Sequence, residues 1–312
     1  SNYNYDIASD CFQYIVDKGN TTPLYNEART MYMKSLYNKI LSNPNHAKSD
    51  EIVLEQQYQE LLKELSLSNK TALLAKDLAH LQTFYLHKST PAISLLDSII
   101  TKTNMNLNIK SELRLELGDI YLYTGDIWEA NLVFAKIETD LAETPIGHEA
   151  KFRRAKIAYY TGDFEWARAI LNILRAATSK KIANDAFELA WLLSDNTDED
   201  TTDAALKKFA LADMHLYQNN DSIALSILDS IPIAHPGTPL EDDILLRKAK
   251  IFTKRRDFPK AAEMYQQIID RFSYDINADN SIFELAVLYE TILNDKTKAL
   301  DLYRKLISDF PS

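Results

Sequence analysis

Glycine and proline are scarce in this chain of 312 residues, which holds 6 of the first and 9 of the second. That scarcity argues against sheets joined by many tight turns, which draw on both residues. It also leaves no loop to cradle a phosphate: neither GxGxxG nor a Walker sequence occurs. Cys11 is the single cysteine, so an internal disulfide is excluded. On an apolar helical stripe it is expected as a small buried hydrophobe. No apolar run approaches the roughly 18 residues of a membrane helix. Lys and Arg number 35 against 45 Asp and Glu, and the net charge of −10 disfavours broad nucleic-acid binding, which needs a basic face.

Catalytic and metal patterns are missing too. The six histidines form neither HExxH nor a Cys/His cluster. His80 and His87 lie about two turns apart on one expected helix, and are read as packed or solvent-facing. The run Asp195-Asn196-Thr197-Asp198-Glu199-Asp200 has an acidic look, but Asp200 and Leu206 stand where a calcium loop needs Gly and Glu. No nucleophile motif such as GxSxG appears. The chain is expected to be no enzyme, with no cofactor and no metal.

What the chain does have is internal repetition. Hydrophobic residues make up 46%, enough to build a core. The octapeptide Ala92-Ile93-Ser94-Leu95-Leu96-Asp97-Ser98-Ile99 returns as Ala224-Leu225-Ser226-Ile227-Leu228-Asp229-Ser230-Ile231, a mark of repeat architecture. Apolar residues fall three or four apart almost throughout, as Leu113, Leu117, Ile120 and Tyr121 do. Gly125-Asp126, Gly162-Asp163, Arg256-Asp257 and Asn294-Asp295 break the helices, an Asp each time standing ready to cap the next one. An alanine in each second helix marks the beat: Ala92, Ala130 and Ala167, then Ala224, Ala261 and Ala299, lie 37 or 38 residues apart within each run. A small residue there lets two helices approach closely, and the Leu or aromatic four residues on fills the space beside it.

These residues resemble the tetratricopeptide-repeat family, in divergent, bacterial-type form. Leu117-Gly118, Tyr121, Gly125, Ala130 and Phe134 follow its pattern in order and spacing; Ala286, Tyr289, Ala299, Tyr303 and Pro311 do so in the last unit, with one extra residue in the turn. Ala212, Ala224, Leu228 and Pro236 match more loosely. The family's tryptophan is missing, and Arg154 and Lys248 stand where it usually has a buried Leu. The resemblance implies an all-α fold, an α-solenoid (a right-handed superhelix) of tandem antiparallel helix pairs, about seven of them, some incomplete.

Four segments are expected: 1–69, divergent helical repeats that start mid-repeat; 70–180, repeats of the family type; 181–203, an extra helix and acidic loop; and 204–312, repeats again. The extra helix arises because Ala167 and Ala224 are 57 residues apart, one beat plus about twenty. Phe187-Glu188-Leu189-Ala190 echoes Phe283-Glu284-Leu285-Ala286, so this helix reads as half a unit, and as a candidate kink in the stack. Ala8–Asp17 aligns without gaps on Ala261–Asp270, which makes Tyr5–Lys18 a second helix lacking its first. With no polar cap at either end, the chain is expected to be a fragment of a longer repeat protein. Ser1-Asn2 is compatible with an expression scar, so targeting evidence is lacking.

First helices line the concave groove in this family. The resemblance therefore places Leu115, Asp119, Leu122 and Tyr123 there, with Phe152, Lys156, Tyr159 and Tyr160, then Phe209, Asp213 and Tyr217, then Leu246 and Lys250. The apolar and aromatic members either anchor a partner or pack on the neighbouring repeat. Arg153-Arg154-Ala155-Lys156 and Arg247-Lys248-Ala249-Lys250 occupy one place in two repeats, and Lys254 extends the second. These cations either hold an acidic partner or pair with Glu and Asp of adjacent helices, such as Glu149 or Asp243. The chaperone-tail clamp of some members is not expected, since Asp119 replaces its Asn.

The expected function is that of a non-catalytic scaffold with a protein or peptide partner in the groove. The closing Phe310-Pro311-Ser312 suggests bacterial envelope assembly, periplasmic or outer-membrane-associated. The alternative is the sensory or regulatory repeat region of a larger signalling or transcription-control protein.

Overall fold

The computed structural model describes residues 4–43, 46–65, 68–69, 71–102, 105–177, 179–196, 203–273 and 275–310. Most of the acidic loop, 197–202, and the terminal Pro311 and Ser312 lie outside them. The chain divides into two compact units, Ser1–Arg154 and Ala155–Ser312. Among the described residues there are sixteen α-helices and no strand.

The first unit holds α1 (Tyr5–Asp17), α2 (Tyr25–Ser42), α3 (Lys48–Glu64), α4 (Ala72–His80), α5 (Ser89–Lys102), α6 (Leu107–Thr124), α7 (Ile127–Asp140) and the start of α8 (Pro145–Thr161). The second holds the end of α8 and then α9 (Phe164–Ala177), α10 (Lys180–Asp195), α11 (Ala204–Tyr217), α12 (Asp221–Ala234), α13 (Glu241–Lys254), α14 (Phe258–Arg271), α15 (Ala278–Thr291) and α16 (Lys296–Asp309). Helices adjacent in sequence pack as hairpins: α1 with α2, α4 with α5, α6 with α7, α11 with α12, α13 with α14 and α15 with α16.

One turn design closes these hairpins. Gly125, Gly162, Asn219, Arg256 and Asn294 all have positive φ. The next residue's N–H reaches back to the last turn of the helix: Asp126 to Tyr121 O at 2.8 Å, Asp163 to Ala158 O at 2.9 Å, Asn220 to His215 O at 2.8 Å and Asp257 to Phe252 O at 2.9 Å. Such bonds satisfy carbonyls that a helix end otherwise leaves open. In the last turn Asp295 N reaches Tyr289 O at 2.9 Å, six residues back instead of five, which is where the extra residue sits. Asp257 and Asp295 also accept from the backbone N–H of Lys260 and Lys298 and so cap α14 and α16.

The marker alanines are core. Ala92, Ala130, Ala167, Ala224 and Ala261 are fully buried and Ala299 nearly so. Four residues on, Leu96, Phe134, Leu171, Leu228 and Tyr265 are buried beside them. At Gly118 the approach is closer still: a Cβ there would lie 2.4 Å from the Phe134 ring. The two departures from the family pattern are compensated from the preceding second helix. Arg154 Nη1 donates to Glu138 at 2.5 Å and its Nε to Asn131 at 3.1 Å, while Lys248 Nζ lies 2.6 Å from Asp229. Each cation takes an acid where the family closes the contact with leucine.

Cys11 corrects an expectation, for it is exposed. Its counterpart in the alignment, Met264 of α14, is buried because α14 packs on both α13 and α15. Among the described contacts α1 packs on α2 alone, and residue 11 lies off that contact. The pair His80 and His87 is also divided. A π-helical turn, Leu81–Tyr85, follows α4, and His87 has left-handed φ beyond the helix. That wide turn carries buried Gln82, which donates to buried Glu55 of α3 at 2.9 Å.

The extra helix α10 packs on α9. The next first helix, α11, lies against the end of α8: Tyr159 Oη donates to Asp213 at 2.9 Å, Lys156 Nζ is 5.2 Å from the Tyr217 ring, and Gly162 faces Lys207. Partners fall from 162 to 156 as α11 runs from 207 to 217, so the two helices are antiparallel. Between α11 and α13 the numbers rise together, Asp213 with Arg247 and Asn219 with Lys254, so these first helices are parallel. One helix inserted between α9 and α11 is an odd number, and it accounts for the reversal.

Candidate partner-binding surface

Consecutive first helices meet through polar side chains about one repeat apart. In the first unit Lys76 of α4 pairs with Glu112 of α6 at 2.9 Å, and His80 with Glu116 at 2.9 Å. Burial opposes the charge on His80, but its hydrogen bond to Glu116, then the charges of Glu116, Asp119 and Asp77, outweigh it, and the pKa rises. The ring also lies 4.5 Å from Phe84, which in turn meets Tyr123 at 4.9 Å. Tyr123 is half-buried and bonds His87 Nδ1 at 3.1 Å.

One motif occurs in both units. Arg153 Nε donates to both oxygens of Asp119, at 2.8 and 3.0 Å, and its Nη1 to Glu149. Arg247 donates to Asp213 through Nε at 2.8 Å and Nη2 at 3.3 Å. Both pairs span 34 residues, and both arginines lie over a buried ring, Phe134 at 5.9 Å and Phe209 at 5.6 Å. The Arg247 pair is bidentate and fixes orientation as well as charge, while Arg153 shares one Nε–H between the two oxygens of Asp119. Burial works against the Arg153 charge, yet Asp119 and Glu149 hold its pKa above the ordinary arginine value. Asp213 does the same for Arg247 against burial. Of the acids expected to neutralise these arginines, Glu149 does so. Arg247 takes Asp213 as its hydrogen-bonded partner, while Asp243 accepts from Asn277 at 3.2 Å; burial, then Asp242, pushes the Asp243 carboxyl up to about 7.

The remaining expected groove residues divide by burial. Leu122, Tyr159, Phe209 and Leu246 are buried, so they are core and not contact surface. The reason is geometric: Tyr159 turns its hydroxyl onto Asp213, and Phe209 sits beneath the Arg247 guanidinium. Burial, then Asp213, drives the Tyr159 pKa well above its ordinary value. Leu115 and Phe152 are half-buried. Lys254 is exposed and bonded to Asn219 at 2.9 Å and Asp221 at 2.8 Å.

What the second unit leaves open is a cluster of rings and ammonium groups. Tyr160 of α8 and Tyr217 of α11 are half-buried, their centroids 6.3 Å apart. Lys156 Nζ stands 5.7 Å from the first ring and 5.2 Å from the second. Lys250 of α13 is exposed, one helical turn beyond Arg247; desolvation and then the Arg247 charge hold its ammonium below the ordinary lysine value. Among the described residues, no group of three or more His, Cys, Asp or Glu is placed to hold a metal ion, and no helix is long and apolar enough to cross a membrane.

A tetratricopeptide-repeat profile matches residues 243–273 and 280–312, that is, the hairpins α13–α14 and α15–α16. The two last hairpins of the chain are thereby tetratricopeptide repeats. No curated protein matches it. Similar solved structures include a human IFIT1 dimer with m7Gppp-AAAA, at 14% identity over 99% of this chain and 68% of that one, with a TM-score of 0.43. A tetratricopeptide repeat protein from Parabacteroides merdae is 11% identical over 90% of this chain and 93% of its own, with a TM-score of 0.37. The C-terminal part of a repeat protein from Cytophaga hutchinsonii is 12% identical over 90% and 95%, with a TM-score of 0.40.

Proposed function

We propose that the chain is a non-catalytic scaffold that holds a segment of another protein on the first-helix face of its second unit, the groove expected from the sequence. The observation that carries this is the half-exposed pair Tyr160 and Tyr217, set on adjacent first helices with Lys156 over both. Tyrosine offers a partner a large rigid ring with a hydroxyl that stays wet. Beneath the pair, Tyr159, Asp213, Arg247 and Phe209 form a bonded base that restrains the helices carrying it. The net charge of −10 supports a protein partner over nucleic acid. The envelope setting remains part of the proposal on the Phe310-Pro311-Ser312 run alone, and fractionation of host cells checks it.

The test is photo-crosslinking in the native host, with p-benzoylphenylalanine replacing Tyr217 in one variant and the exposed Glu263 of α14 in another. The reading expects a discrete crosslinked protein from position 217 and none from 263. No product from either position, or identical products from both, contradicts it.

A further inference from the structure

The cations of the second unit differ in what answers their charge. Arg247 is held by Asp213, Lys248 by Asp229 and Lys254 by Asp221. Among the described residues, Lys156 and Lys250 make no ion pair. The Lys156 ammonium lies near two tyrosine rings instead, an arrangement that favours a cation but does not neutralise it. Asp213, the acid of α11 on this face, already takes Tyr159 and Arg247. Glu188 of α10 and Glu284 of α15 act on Lys250 only from beyond ion-pair reach. The two lysines flank the Asp213–Arg247 pair on helices bonded to α11, so positive charge is left over beside half-buried aromatic rings in a chain of net charge −10.

We propose that Lys156 and Lys250, with the rings of Tyr160 and Tyr217, form a docking site for an acidic peptide segment, whose Asp or Glu side chains supply the counter-charges this chain withholds. This rests on the scaffold reading and specifies the chemistry of its partner. Charge complementarity selects the occupant. A carboxylate reaching either ammonium meets a cation that no described acid holds in an ion pair, while the tyrosines pack the stem of the same side chain. Arg153 and Arg247 are not the binding groups, because each already has its charge answered by an acid of the fold.

The probe is a fluorescein-labelled hexaglutamate with an amidated C-terminus, titrated by fluorescence anisotropy at low salt against the full chain. The control ligand is hexaglutamine. The variants are K156Q/K250Q and, as a control, K260Q/K298Q, whose lysines pair with the cap residues Asp257 and Asp295 of exposed helix starts. Urea midpoints establish that each variant is folded, and K250Q alone serves if the double variant is not. The expected result is saturable binding of hexaglutamate and not of hexaglutamine. Affinity falls about tenfold or more in K156Q/K250Q and is unchanged in K260Q/K298Q.

Four results overturn the proposal. They are an absence of saturable binding, an equal loss in both double variants, binding that requires a free terminal carboxylate, or stronger binding to phosphatidylglycerol vesicles lost in the same variant. A protein crosslinked at position 217 together with no hexaglutamate binding leaves the scaffold reading intact and removes this one.

Discussion

Asp77→Asn isolates a charge that the fold holds at a cost. Asp77 lies within α4, half-buried, and burial first of all raises its pKa from 3.8 to about 6; the charges of Lys76 and Lys34 oppose this. Between those two pH values the folded chain keeps a proton that the unfolded chain has released, so stability falls as pH rises. Above about 6 both states are ionised and the penalty is complete. A gap of about 2 pKa units at 1.36 kcal/mol each sets it near 3 kcal/mol at most. Asparagine keeps the size and polarity and removes the charge. The variant is therefore expected to match the parent at pH 4 and to exceed it by about 1–3 kcal/mol at pH 8. Urea unfolding at pH 4, 6 and 8 measures this, read as midpoint differences at constant slope. The raised pKa of His46 is common to both proteins and cancels, while His80 loses the Asp77 contribution to its rise, which affects the comparison at pH 6 but not at pH 4 or pH 8. A stability difference that is flat with pH, or larger at pH 4 than at pH 8, refutes the reasoning.

Other substitutions test the repeat itself. Gly118→Ala drives a methyl into the buried Phe134 ring and is expected to cost about 1–3 kcal/mol in urea unfolding; no loss would mean that α6 and α7 are not so closely packed. Arg256→Gly relieves a left-handed arginine in the α13–α14 turn, with an expected gain of about 0.5–1 kcal/mol by the same assay, and a clear loss argues against that turn. Lys248→Leu restores the family's leucine beside Asp229, which is 59% exposed in its side chain and needs no partner. Stability is expected to be unchanged or higher, and a drop beyond about 1 kcal/mol contradicts the compensation described.

The hairpins were legible because their signals are local. The turn residues and the small alanine with a large residue four places on depend on neighbours within one hairpin, and all reappear in the structure. The pairing of charges was less legible. Asp119, Arg153, Asp213 and Arg247 each read as surface candidates in the sequence, although an equal offset of 34 residues between acid and arginine marks them as bonds between helices. Tyr159 and Phe209 share a face with Tyr160 and Tyr217, and only the direction of α11 against α8 decides which pair is covered. That direction follows from the single helix α10, whose insertion was visible in the spacing while its effect on polarity was not. Cys11 departs from its expected burial for a similar reason: an alignment carries over a residue's phase but not the number of helices packed around it.

First helices are joined by a half-buried acid–arginine pair at one-repeat spacing. A double-mutant cycle with Asp213→Ala, Arg247→Ala and the double variant measures that bond while cancelling the loss of Tyr159's partner, which is common to two corners. The structure predicts a coupling of about 2 kcal/mol or more, and the same at Asp119 with Arg153. A coupling below about 0.5 kcal/mol at both sites would mean that these helices do not meet as described.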